Sequence, residues 1–593
     1  MKFPYGISDF NAIISEGYFY VDRTDRIPLI EQAGKQLLFL RPRRFGKSLL
    51  INMLANYYDL AKAKQFESLF GALKIGSNPT PKHNQYFVMT WDFSAVLPMG
   101  STQELKSTLY KHINSWIAGF TATYQRWLPT SIELSDDGNV SFHNLLNVIR
   151  QTDYKLYLFI DEYDNFANEV MATQVREEQR YAELVYGEGL LKSLFKNIKI
   201  AATGNGLDRV FITGVSPVVM ADMSSGYNVA TNIYRLPEFN DLCGFHDIEI
   251  QQILQQMAQH CQMSQTEQQA AMTIMQQFYN GYCFDEDQEE RRIYNPTLAM
   301  YFIDHLYRRC QYPKNLLDYN LAMDRNRLNY IAKLPHGREV IEKALDESKP
   351  LTVPKLHDRF GVEDMLKSEP HEKELASLLY YLGVLTLDGT TPFGDLKLRI
   401  PNLVIRSLYI EKLQELLLPK VHDEDYHEAK QIFMSTGDLQ PLCDFIEPRF
   451  AVFSNRDYRW NAEVAVKTAF LMFLFDDRLY IIDSEPELNR RYADLVMIVR
   501  PDARRYQIVD HLLEFKFLSL NKDINLTAEQ IRTFSMKQIN ALAPVQMAFA
   551  QASAQLQSYR STLEQTYGDQ LQLKLAAVVA LGFERLVWQR VDD

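Results

Sequence analysis

One stretch of this chain, R-P-R-R-F-G-K-S-L-L from Arg41 to Leu50, carries the residue types that phosphate chemistry uses. A Gly-Lys-Ser triplet that opens a helix can wrap backbone N–H groups around a polyphosphate. Lys47 would then reach the β and γ oxygens while Ser48 holds Mg²⁺. Arg44, Phe45, Gly46 and Leu49 complete the loop, and Arg41 stands where G-x-x-x-x-G-K-[ST] has its first glycine. Pro42 disfavours the helical region for Arg41, so the chain leaves the preceding strand extended before it turns. Composition alone produces such a triplet in roughly one chain in three of this length, so the context must decide. A nucleotide site also needs carboxylates at the end of another strand. L-Y-L-F-I-D-E supplies Asp161 for the metal's water shell and Glu162 to polarise an attacking water. R-V-F-I-T-G-V-S-P ends in Thr213 and Ser216, whose hydroxyls can sense a γ-phosphate or simply cap the chain. Arg43 and Arg44 either add positive charge beside the phosphates or form a solvated basic turn. Arg209 and Arg235 are candidates for an arginine finger, with nothing in the sequence to fix their geometry.

These residues act together only if the chain positions them. L-L-F-L before the loop reads as a buried strand and S-L-L-I-N-M-L-A-N-Y-Y after it as a helix. From about residue 36 to 216 short apolar runs (QLLFL, YFVMTWDF, LYLFIDEYD, KIAAT, RVFITGVS) alternate with amphipathic stretches, which predicts an α/β sheet. E-I-Q-Q-I-L-Q-Q-M-A-Q-H-C-Q follows, with Ile250, Leu254 and Met257 at helical spacing on a solvated helix. Glu372 to Leu417 reads helix, strand, polar turn, strand, helix, the order of a winged-helix-like module. From Asn461 onward helix, three strands, helix and strand predict a second α/β domain.

At 593 residues the chain exceeds one hydrophobic core and predicts three or four units. No run approaches the ~18 apolar residues of a membrane span; AFLMFLF, Ala469 to Phe475, reads as a helix interior. M-K-F-P-Y-G-I-S-D-F lacks the pattern of a signal peptide, so the expected location is the cytoplasm. Cys243, Cys261, Cys283, Cys310 and Cys443 are widely scattered, which supports neither a disulfide framework nor a zinc site. A net charge of −12 argues against bulk electrostatic binding of nucleic acid but leaves room for a local basic channel.

PYGISDF, YFYVDRT, RPRRFGKSLL, IDEYDN, FITGVSP, EFNDLCGF, FYNGYCF and YNP occur in an order and spacing that resembles the AAA-ATPase-like family over about residues 3 to 300. The resemblance implies ATP and Mg²⁺ as cofactors. It also implies that an arginine at position 41 is the usual form of this loop.

Members of that family often carry a C-terminal domain resembling PD-(D/E)XK nucleases. The resemblance directs attention to Asp494 in YADLVMIV and to Glu514 and Lys516 in LLEFKF. Strand alternation puts Glu514 and Lys516 on one face, with Phe515 on the other. Two carboxylates would share Mg²⁺ or Mn²⁺, with the lysine beside the attacking water. E-x-K recurs at Glu104, Glu347 and Glu428, but only the Glu514 copy lies in a strand-like run that follows an aspartate-bearing strand. Glu463 on the preceding helix is either a further metal carboxylate or a surface residue. Gln555 and Tyr559, one helical turn apart, resemble the Q-x-x-x-Y of RecB-like nucleases. Ala493 and Tyr492 depart from the expected proline and arginine without removing a ligand. Lys516 beside two carboxylates also admits a plain ion pair in a degenerate nuclease fold.

The expected architecture is therefore α/β: a P-loop ATPase domain over 1–245, a helical lid and winged-helix-like region over 246–435, and a restriction-endonuclease-like domain over 436–593. The expected function is an ATPase coupled to a metal-dependent nuclease acting on nucleic acid, DNA before RNA. The alternative is a nucleotide-switched protein that binds nucleic acid or a partner without cutting. No membrane partner is expected, and homo-oligomer formation is left open.

Overall fold

The structure is a computed structural model. It describes residues 1–593 except 97–101, 166–189, 205, 218–219, 221–226, 287–290, 318–327, 329–330, 333, 335, 347–349, 359–370, 418–423, 454–461, 484–486, 489–490, 569–570 and 592–593. Two compact units emerge. One comprises Met1–Gln311, Ala322–Val340 and Leu351–Pro401, the other Tyr312–Leu321, Ile341–Pro350 and Asn402–Asp593.

The first unit is built on a parallel sheet of β1 (Gln36–Leu40), β2 (Tyr86–Asp92), β3 (Lys155–Asp161), β4 (Leu207–Gly214) and β5 (Thr231–Asn232), in the order β2-β3-β4-β1-β5. β1, β3 and β4 are nearly continuous apolar runs because the interior strands of a parallel sheet are covered on both faces. β4 enters between β1 and β3, pairing Leu40 with Gly214 and Ile160 with Ile212. The carboxyl ends of three strands far apart in sequence therefore lie side by side, where open α/β sheets hold their ligands. After β1 the chain turns through Gly46, at φ 87°, into helix Lys47–Tyr58. That left-handed value is open to glycine without steric cost.

One apolar run is not a strand. KIAAT closes helix Leu190–Ala201, whose Leu191, Leu194, Phe195 and Ile198 are buried. The three-to-four-residue spacing of those side chains outweighs the short apolar run at its end. Helix Asp247–Cys261 buries Ile250, Leu254 and Met257 as the periodicity requires. It packs with helices Gln265–Tyr279 and Pro296–Arg309. The expectation of no disulfide is corrected: Cys261 and Cys310 are bonded, with Cα atoms 5.3 Å apart. The two helix ends meet in space, a proximity that a spacing of 49 residues conceals. Helix Glu372–Tyr381, β7 (Thr386–Thr390) and β8 (Leu396–Arg399) follow in the expected order, and β6 (Leu351–Val353) completes an antiparallel sheet β6-β8-β7. Gly383, in the turn after that helix, has φ 79°, and a Cβ there would stand 2.5 Å from Pro42 Cβ.

The second unit holds a five-stranded mixed sheet in the order β15-β14-β13-β12-β9. β9 (Tyr480–Asp483), β12 (Leu495–Val499) and β13 (Asp510–Leu518) form an antiparallel meander, with a ribbon of β10 (Glu487–Leu488) and β11 (Arg491–Tyr492) between β9 and β12 in the chain. Helix Ala543–Tyr567 then crosses to β14 (Leu573–Leu581), parallel to β13, and β15 (Arg585–Val591) closes the edge. AFLMFLF lies in and just beyond helix Ala462–Leu474, whose Phe470 ring sits 5.0 Å from that of Phe515. Among the described residues no helix is long and apolar enough to cross a membrane.

Candidate functional site

The sheet of the first unit brings Ser48, Asp161 and Thr213 together. Ser48 Oγ, at the start of helix Lys47–Tyr58, donates to Asp161 Oδ2 at 2.6 Å. Thr213 Oγ1 on β4 donates to Asp161 Oδ1 at 2.5 Å, and the Glu162 N–H donates to the same oxygen at 3.0 Å. One carboxylate thus ties together two neighbouring strands and the loop helix. Lys47 is buried, and its Nζ donates to the carbonyls of Arg41 and Pro42, each at 3.0 Å. Burial lowers its pKa while Asp161 and Glu162 oppose that. Burial raises the Glu162 carboxyl, with Lys47 pulling the other way. Glu162 sits at φ 51° and Arg44 at φ 64°, so the loop and the strand end that face each other both contain non-glycine left-handed residues. Such conformations cost energy and cluster where geometry is functional.

The loop leaves room beside Gly46 for a polyphosphate. A Cβ at Gly46 would meet nothing within 4 Å, so the backbone there borders open space. Beside it is a mostly apolar cavity of about 100 Å³, bordered by Phe45, Gly46, Leu49, Leu242, Phe245 and Met300.

Arg41 does not present its charge to the loop. Its guanidinium is buried and donates to the carbonyls of Leu40, Tyr234, Phe239 and Asn240. It also lies 4.6 Å from the Phe39 ring and 4.0 Å from that of Phe284. Desolvation lowers its pKa to about 10. Five donors in a rigid fork suit this cage of carbonyls, which explains why an arginine ends β1. Phe45 packs edge-on against Tyr282 and Phe284 at 4.9 and 5.4 Å. EFNDLCGF and FYNGYCF are therefore the wall that braces the loop, joined by the Asn240 Oδ1 that accepts from the Phe284 N–H.

Ser216 is also committed elsewhere. Its N–H and Oγ donate to Asp164 Oδ2 at 2.8 and 3.3 Å. Asp164, buried and also bonded to the Val215 N–H, fixes the turn after β4. Arg209 donates to the carbonyls of Gly34 and Glu31, and Arg235 pairs with Glu286 at 3.2 Å. Both finger candidates are thus tied within their own unit. Sequence reasoning missed Asp164, Tyr282 and Phe284. The only signal was their place inside IDEYDN and FYNGYCF.

The second unit assembles the other cluster. Asp494 just precedes β12, and its Oδ2 accepts from the Phe515 N–H on β13 at 2.7 Å. Glu514, 2% exposed, lies beside it. Lys516 Nζ donates to Glu514 Oε1 at 2.9 Å and to Glu463 Oε1 at 3.4 Å. Glu463, with a side chain 45% exposed, is held by the lysine. Burial and Asp494 raise the Glu514 carboxyl to about 7, while the carboxylates hold the Lys516 ammonium above its ordinary value. The two shifts share a cause, the crowding of Asp494, Glu514 and Glu463 around Lys516. Burial also raises Asp494, with Lys467 and Lys516 opposing. Glu514 Oε2 is buried without a hydrogen-bond partner, which is what a divalent cation would satisfy. Tyr559 is buried, and its phenol is raised by burial and by Glu514 and Asp494, with Gln555 bonded to it. The other E-x-K copies lie differently: Glu104 and Glu428 fall on helices Thr102–Tyr124 and Glu424–Thr436, and residues 347–349 lie outside the described residues.

Residues 4–224 match the family model described as "Predicted AAA-ATPase". A curated relative, the "Uncharacterized protein in vnfD 5'region" of Azotobacter chroococcum mcd 1, is 22% identical over 466 residues, 74% of each chain. Among solved structures, the Walker-type ATPase paby2304 of Pyrococcus abyssi is 14% identical with a TM-score of 0.35, covering 66% of this chain and 96% of its own. The Aeropyrum pernix ORC2 protein is 14% identical with a TM-score of 0.31, covering 68% of this chain and 98% of its own. Residues 4–224 are thus AAA-ATPase-like by that match and are built on a parallel α/β sheet.

Proposed function

We propose that this chain binds and hydrolyses ATP at Lys47, Ser48, Asp161 and Glu162, and couples that cycle to a metal-dependent nuclease site at Asp494, Glu514 and Lys516 that acts on DNA. For ATP to bind, Lys47 exchanges the carbonyls of Arg41 and Pro42 for phosphate oxygens, a charge-assisted contact stronger than the one it leaves. Ser48 and Asp161, already joined by a hydrogen bond, are the residues that would hold Mg²⁺ and its water shell. Glu162 then accepts the proton of the attacking water, a role that its burial-raised pKa suits.

The observation that carries the second half is the buried, unpartnered Glu514 Oε2 on β13 beside Asp494, which immediately precedes β12. Mg²⁺ or Mn²⁺, when bound, lowers the pKa of a coordinated water and neutralises charge on the scissile phosphate. Lys516 stabilises the negative charge that develops there. The antiparallel meander, crossover helix and parallel β14 support a restriction-endonuclease-like reading of this unit. One observation favours the alternative, a nucleotide-switched protein that binds without cutting: Lys516 bridges Glu514 and Glu463 as an ion pair.

A nuclease assay with Mn²⁺ and ATP decides between them, comparing wild type with Lys47→Ala and Lys516→Ala. Cleavage lost in Lys516→Ala and altered in Lys47→Ala is the expected result. DNA and RNA left intact by the wild type would end the nuclease reading. Mn²⁺ binding that is lost in Asp494→Asn would still leave a metal-dependent binding protein.

A further inference from the structure

We propose that, when Cys261 and Cys310 are reduced, His260, Cys261 and Cys310 form a three-ligand site for Zn²⁺, separate from both carboxylate sites. Cys261 is the last residue of helix Asp247–Cys261, and Cys310 caps helix Pro296–Arg309. The ligand atoms of the three side chains all lie within 4.8 Å of one another, the only such triple of His, Cys, Asp or Glu among the described residues. Two thiols and an imidazole form a soft donor set, which selects Zn²⁺ over Mg²⁺ or Ca²⁺.

The backbone supports a cation at this point. Both helices end in left-handed residues, Gln262 at φ 53° and Cys310 at φ 49°, so two helix C-termini stop together beside the cluster. Their partial negative charges favour a cation. The Leu306 carbonyl, in the last turn of the second helix, accepts from the Cys310 N–H at 2.8 Å and lies 3.6 Å from Cys261 Sγ. The His260 ring is stacked on Tyr307, with centroids 4.4 Å apart, and so is held beside the sulfurs. His260 and Cys310 are exposed, so an ion can enter from solvent.

The disulfide and the ion exclude each other. A phosphine reductant supplies two electrons and, with two protons from water, converts the S–S bond to two thiols. Zn²⁺ then replaces those protons. Two Zn–S bonds of ~2.3 Å at a tetrahedral angle separate the sulfurs by roughly 3.8 Å, which side-chain rotation at two helix ends can provide. Three protein ligands leave one position open to water.

Co²⁺ tests the site, because thiolate-bound Co²⁺ gives a charge-transfer absorption that the carboxylate sites cannot produce. The full chain, stripped of metal and reduced with a phosphine, is titrated with Co²⁺ and back-titrated with Zn²⁺. One thiolate-bound Co²⁺ per chain is expected, displaced by Zn²⁺ and absent after oxidation with diamide. Cys261→Ser with Cys310→Ser should abolish the band, and His260→Ala should weaken binding tenfold or more. A reduced wild type without the band, or a band that survives in the double variant, overturns the site. Unchanged affinity in His260→Ala overturns the three-ligand form. The comparison of reduced with oxidised wild type needs no variant, so a misfolded substitution does not shield the proposal.

Discussion

Glu514→Gln should stabilise the metal-free protein above pH 7 while removing its response to Mn²⁺. The carboxyl of Glu514 is raised from 4.5 to about 7, first by burial and then by Asp494. A raised folded-state pKa means that the stabilising contribution is complete below about 4.5 and is lost as pH rises through about 7. The difference corresponds to about 3 kcal/mol of penalty on the ionised form at pH 8. Gln removes that charge but also weakens the Lys516 contact at 2.9 Å, which offsets about 1 kcal/mol. The net gain of about 2 kcal/mol would raise the melting temperature of a unit of this size by roughly 4–8 °C. Calorimetry of the full chain at pH 8 and pH 5 measures it: the variant should exceed wild type at pH 8, and the gap should shrink at pH 5. Mn²⁺ should stabilise wild type at pH 8, and its affinity should fall about tenfold per pH unit below 7 as protons compete. A variant less stable than wild type at pH 8, or one that Mn²⁺ stabilises equally, would show that Glu514 carries neither the buried charge nor the metal.

Arg41→Lys should cost about 3 kcal/mol of stability, because a lysine cannot serve four carbonyls from that position. Thermal denaturation reads it; lost ATP affinity at unchanged stability would return Arg41 to the phosphates. Glu162→Gln should slow ATP hydrolysis by about 10²–10⁴ while nucleotide affinity is kept, as single-turnover and binding measurements would show. An unchanged hydrolysis rate would remove Glu162 from the chemistry. Thr213→Val should leave ATP binding in place and slow hydrolysis, because Asp161 keeps Ser48 and loses one of the two donors, Thr213 and the Glu162 N–H, to its other oxygen. A binding defect as large as the hydrolysis defect would argue for general damage to the sheet.

The loop and its strand-to-helix setting were legible because consecutive residues carry them. LLFL, Gly46 and SLLINMLANYY act on one another within a dozen positions. The IDE segment was legible as a strand end, but that β4 separates it from β1 depends on long-range pairing that no local pattern encodes. Arg41 looked like a phosphate ligand because of its position in a motif, whereas its partners lie almost 200 residues away at Tyr234, Phe239 and Asn240. Ser216 is a similar case: a hydroxyl after a strand reads as a sensor until Asp164 is seen beneath it. KIAAT misled through its composition, since five residues are too few to separate a strand from the end of a helix. Glu514 and Lys516 followed from alternation along one strand, but the lysine's reach to Glu463 depends on how helix Ala462–Leu474 lies over β13.

The contact between Gly383 and Pro42 seats the small antiparallel sheet directly against the RPRRFGKS loop. A Cβ at 383 would collide with the proline ring at 2.5 Å, so the turn that feeds β7 rests directly on the second residue of RPRRFGKS. The carbonyl of the same proline accepts from Lys47, so Pro42 meets the lysine through its backbone and the Gly383 turn through its ring. From that turn β7 and β8 run out to a hairpin tip where Phe393 stands 94% exposed.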